Sequence, residues 1–164
     1  MLSKLILRCA IAVAASAALS SLAPPSVQEA LSIPFFAVLT AAWAISLSCI
    51  GLASNFCLAE PLEQSFRAKV ASEVNSIRRS NTALFATAAV VFAVRCAFPD
   101  AAFALQPISF SLESLAACTS AVAAFCVFKS FHRLFAIKME ASKRIFEVEC
   151  ARRSQEILDR IEPR

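Results

Sequence analysis

The sequence predicts an all-α fold: a four-helix transmembrane bundle of two hairpins, with an amphipathic connector helix and a charged C-terminal helix. Three observations carry that expectation. Hydrophobic residues make up 59% of the 164-residue chain and charged residues only 17%, outside the usual range of soluble domains. The stretch 112–128 is almost wholly apolar and then meets Lys129, His132 and Arg133, the pattern of a membrane helix with a basic collar. Apolar stretches of this kind recur upstream, and Lys and Arg collect only at alternate ends of them.

The first span is expected over 5–23, with Lys4 and Arg8 as a basic head and Ala10, Ala14 and Ala18 on one smooth face for packing. A secretory signal has a similar layout, but the one reasonable cleavage site, Ser21-Leu22-Ala23, is followed by Pro24, so an uncleaved helix is expected. Pro24-Pro25 ends it. Ser26 and Glu29 have the spacing of a capping box, predicting a short helical turn, and Pro34 then restarts the chain for a second span over 33–59 that carries no charge before Glu60. Trp43 lies inside that span, so its indole N–H requires a partner on a neighbouring helix.

Glu60-Pro61 opens a different helix, the connector over 61–79. Leu62, Phe66, Val70, Val74 and Ile77 recur at four- and three-residue steps, with acids leading and Arg78 and Arg79 closing, as the helix dipole favours. Ser80-Asn81-Thr82 offers caps for a third span over 82–98, which Pro99-Asp100 stops. The fourth span is expected over 109–128 after Pro107, and domain one ends at 137. Residues 138–164 read as a separate charged helix. Ile137, Ala141, Ile145, Val148, Leu158 and Ile161 form a narrow stripe, flanked by Glu140–Arg144, Glu149–Arg153 and Glu156–Arg160 pairs four residues apart.

Antiparallel third and fourth spans would bring Arg95 and Glu113 to nearly the same depth, and an intramembrane ion pair is expected there. Lys129, His132 and Arg133 are expected at lipid headgroups. The base distribution puts both termini and the connector on one side, the positive-inside side.

Catalytic classes find no foothold. The single histidine cannot build a paired-imidazole metal or haem site, and there is no Gly-rich phosphate loop, no Ser-His-Asp set and no cluster of midplane carboxylates. The seven cysteines include no C-x-x-C, which excludes a thiol relay of that type. No catalytic residue, cofactor or metal is therefore expected, and the net charge of +4 reflects topology rather than nucleic-acid binding.

The expectation for function is a non-catalytic accessory or scaffold subunit of a larger integral membrane complex, of the organellar energy-transducing kind. The stripe on 138–164 and the connector stripe would dock other membrane-protein subunits, and lipids would cover the rest. The acid-poor N-terminus favours the mitochondrial inner membrane. Two other plans share the pattern: a membrane-shaping protein, since paired hairpins with a same-side connector resemble the general plan of reticulon-like proteins, and a small oligomeric channel or transporter.

Overall fold

The computed structural model describes residues 2–56, 62–98, 102–105 and 108–161. Helices α1 (Leu2–Leu22), α2 (Pro25–Phe56), α3 (Gln64–Ala97) and α4 (Leu112–Ile161) form an all-α bundle, with one small antiparallel hairpin, β1 (Ala102–Leu105) and β2 (Ile108–Ser111), between α3 and α4. Helices α2, α3 and α4 are long and apolar enough to cross a membrane, which fits an integral membrane protein. The apolar part of α1, Ile6–Leu22, is shorter.

The elements are longer and fewer than the sequence predicts, and each merger has a local cause. Helix α2 does not restart at Pro34. It begins at Pro25, the first-turn position where a missing N–H costs nothing, and the amides of Val27 and Gln28 bond to Pro24 O at 3.0 and 3.3 Å. Ser26 is therefore inside the first turn and is not a cap. Pro34 sits within α2 and leaves Ala30 without its usual donor, while the Ser32 hydroxyl donates to Glu29 O at 3.0 Å beside the gap.

The connector expected over 61–79 and the third span expected over 82–98 merge: Gln64–Ala97 is one helix, α3. Ser80-Asn81-Thr82 caps nothing, because Ser80 and Asn81 find partners on other helices instead of on their own backbone. The collar likewise interrupts nothing: α4 runs through 137 and 138, so 138–161 is its distal half and not a separate helix. Its start is later than 109. Residues 108–111 pair with 102–105, Phe103 opposite Phe110 and Leu105 opposite Ile108, and Ser111 then caps α4 by accepting the Ser114 amide at 3.1 Å. The breaks expected at 60–61 and 99–100, and Pro107, lie outside the described residues.

Two apolar clusters hold the bundle. One joins Leu39 and Ala42 of α2, Leu84 and Ala88 of α3, and Ala123, Ala124 and Val127 of α4. The other joins Ile50 and Ala53 of α2 to Phe66, Val70, Val74 and Ile77 of α3 and Leu134, Ile137 and Ala141 of α4. The first is built largely from Ala and permits close approach; the second is bulkier and lies along the amphipathic half of α3. Between α2 and α3, aromatic rings spaced by seven in both helices meet in register, Phe36 on Phe92 at 4.1 Å and Trp43 on Phe85 at 4.2 Å.

Candidate functional site

A buried polar node separates the two clusters. Asn81 Nδ2 donates to Ser46 Oγ at 2.7 Å and to Ser130 Oγ at 2.9 Å, so one amide ties α3 to α2 and α4, and all three side chains are buried. Ser130 passes its own proton to Val127 O at 2.6 Å. Arg8 of α1 joins at the same level, donating to Ser80 Oγ at 3.2 Å. The chain thus fixes Arg8, Ser46, Ser80-Asn81 and Ser130 in one layer across four helices.

A second polar layer closes the opposite end. Arg95 Nη2 donates to Glu113 Oε1 at 3.2 Å, with both side chains mostly buried at 12% and 14% exposure. Glu29, which the sequence reading did not include, stands 3.9 Å from the same nitrogen and is 66% exposed. Arg95 Nε is buried without a hydrogen-bond partner. Beside this group the Ser111 amide donates to Ser20 Oγ at 3.3 Å, and the Ser111 hydroxyl bonds Gln28 Oε1. The Ser114 hydroxyl gives its proton to Ser111 O at 2.9 Å, so in the 2.6 Å contact between Ser20 and Ser114 it is Ser20 that donates.

Asn81 to Arg95 and Ser130 to Glu113 correspond to roughly 21 and 26 Å of helix at 1.5 Å per residue. The layers therefore bound a slab slightly thinner than a hydrocarbon core of about 30 Å. Within it Val90 and Val94 of α3 and Phe125 and Phe128 of α4 point outward. So do Ile33, Val38 and Ile45 of α2. Three threonine hydroxyls inside the slab bond their own helix, Thr40 to Phe36 O and Thr87 to Ala83 O at 2.9 Å and Thr119 to Leu115 O at 2.6 Å, as an apolar surrounding favours, whereas the buried Ser120 hydroxyl has no partner among the described residues.

The remaining sequence-selected residues separate into two groups. Leu62, Phe66, Val70, Val74 and Ile77 do not form a docking face: they are buried in a cluster with α2 and α4 of this same chain, the last four because α3 runs on without a break and turns its stripe inward, and Leu62 just ahead of it. Ile137 and Ala141 are buried with them, Ile145 packs alongside, and Arg144 lies over the Phe66 ring at 4.2 Å. Beyond that point α4 is exposed throughout, including Phe146, Val148, Ile157, Leu158 and Ile161. Its charges pair along the helix as Lys143–Glu147, Arg144–Glu140, Arg152–Glu156 and Arg153–Glu149 at 3.3–3.9 Å; Glu156 takes Arg152 where the spacing also offered Arg160.

Lys129 and His132 are exposed, whereas Arg133 binds Glu73 Oε1 of α3 at 2.7 Å. The Trp43 indole N–H, expected to find an acceptor, is buried without one; stacking on Phe85 holds the ring instead. Among the described residues no three His, Cys, Asp or Glu side chains gather as a metal site requires. The chain matches no protein-family model, no curated protein and no solved structure.

Proposed function

We propose that this protein is a non-catalytic scaffold subunit that docks a partner of a larger membrane complex through the distal part of α4. One observation carries the reading. Helix α4 has 50 residues, about 75 Å of helix, against 32 and 34 residues in α2 and α3, so it outruns the bundle that supports it. Its packing ends near Ile145, and the rest presents exposed apolar residues on a helix where Glu147, Glu149, Arg152, Arg153 and Glu156 are already paired. An isolated solvated helix gains nothing from Ile157, Leu158 and Ile161 on its surface; a partner helix does.

Both termini of the described chain and the connector lie, in this reading, on the positive-inside face, and the mitochondrial inner membrane is the residence that the acid-poor N-terminus favours. Removing the chain from Phe146 onward spares Ala141, Arg144 and Ile145 and with them the bundle. The truncated chain should insert and remain monodisperse in mild detergent, but lose co-migration with the native complex on a non-denaturing gel. Retained co-migration would move the docking surface to the outward face of α2.

A further inference from the structure

We infer that α1, α3 and α4 together form a binding surface for the phosphate of anionic lipid headgroups, centred on Arg8, Arg79 and Lys129. The node sets the level. Because Asn81 bonds Ser130 and Arg8 bonds Ser80, the flanking residues Arg78 and Arg79 on α3, Lys129 and His132 on α4, and Arg8 on α1 all lie within about one turn of a single plane. That plane is one boundary of the apolar slab, the depth of headgroup phosphates.

The second observation is the pairing of charges. Arg95, Arg133, Lys143, Arg144, Arg152 and Arg153 each have a carboxylate within 4 Å. Among the described residues, Arg8, Arg78, Arg79 and Lys129 have none. Among the described residues, Glu73 of α3 is engaged by Arg133. Arg8 is half-buried with its guanidinium held by a neutral hydroxyl, which fixes its position and leaves its charge uncompensated. Helix α2 contributes no base at this level; Ile45 and Leu47 beside Ser46 are exposed and apolar. The positive surface is therefore carried by α1, α3 and α4 and not by α2. This surface does not depend on what α4 docks.

The test uses the full chain in phosphatidylcholine vesicles containing spin-labelled phosphatidylglycerol or spin-labelled phosphatidylcholine, comparing the immobilised fraction of each. The anionic label should be preferred at low ionic strength, and the preference should fall as salt rises. Each base removed should weaken it about five-fold, since a base near such a surface contributes about that factor. Lys129 is exposed, so Lys129→Gln supplies the single-site readout; Arg8→Gln with Arg79→Gln and Lys129→Gln should abolish the preference. Arg152→Gln with Arg153→Gln should leave it unchanged, because those charges lie far along α4 and are already paired. An undiminished preference in Lys129→Gln and in a folded triple variant would overturn the inference. So would equal stabilisation of the detergent-solubilised protein by inorganic phosphate and by short-chain phosphatidylglycerol, which would assign the bases to a soluble anion.

Discussion

Arg95 of α3 and Glu113 of α4 meet at 3.2 Å while both are mostly buried, and Glu29 of α2 faces the same guanidinium from 3.9 Å in a far more exposed position. Three helices thus converge on one cation, with unequal weight. A buried charge left alone is costly, whereas an exposed carboxylate at that distance is screened.

The first prediction follows from that inequality. Glu113→Gln should lower stability in detergent by about 2–4 kcal/mol, since it strands Arg95, and Glu29→Gln by less than about 1 kcal/mol. Adding Arg95→Leu to Glu113→Gln should recover part of the loss. Additive losses in thermal or denaturant unfolding would show that the two groups are energetically independent.

The node makes a second double-mutant cycle. Ser46→Ala and Ser130→Ala should each cost about 0.5–1.5 kcal/mol in the wild-type chain and almost nothing once Asn81→Ala is present, because the amide donor is what each hydroxyl serves. Losses that persist at full size in the Asn81→Ala background would reassign the serines to packing alone.

Phe66→Ala decides between an internal and an external use of the α3 stripe. The side chain is 5% exposed and carries Arg144 over its ring. Its truncation should cost about 3–5 kcal/mol in the isolated protein. An unchanged melting temperature would return Leu62, Phe66, Val70, Val74 and Ile77 to the role of a docking face.

Limited trypsin digestion should read the end of the packed part of α4. Arg152 and Arg153 stand on exposed helix, whereas Arg144 is pinned on Phe66, so cleavage at the former pair should precede cleavage at Arg144 and leave the bundle intact. Equal rates at both places would mean that the support ends earlier than Ile145.

The single tryptophan supplies the last test. With its N–H unpartnered, Trp43 contributes through its ring, and Trp43→Phe keeps a ring against Phe85. The change should alter stability by under about 1 kcal/mol. A larger loss would point to an acceptor for the indole that is satisfied in the bilayer.

The apolar spans and their order were legible because hydropathy and loop bases report solvent directly, and Arg95 and Glu113 could be placed near one depth by counting from flanking prolines. Helix ends were not. Ser80-Asn81-Thr82 reads as a cap in isolation, and only the presence of Arg8, Ser46 and Ser130 on other helices converts it into a helix interior. The hairpin left a trace that helix counting overlooks: large and small residues alternate in Ala102-Phe103-Ala104-Leu105 and again in Ile108-Ser109-Phe110-Ser111. The seven-residue spacing of Phe36 with Trp43 and Phe85 with Phe92 was equally readable as an α2–α3 seam. Glu29 was not, because its proximity to Arg95 depends on α2 starting at Pro25, eight residues before the span expected over 33–59.

Because α4 has no joint where it leaves the slab, the bundle and the tip behave as one lever. Beyond Ser130 it extends through Ile161 for about 46 Å, so a change of about 10° in the tilt of the bundle sweeps the tip roughly 8 Å sideways. Bilayer thickness alters the tilt of embedded helices. A small adjustment to its lipid surroundings therefore displaces the far end of α4 much more than the bundle that supports it.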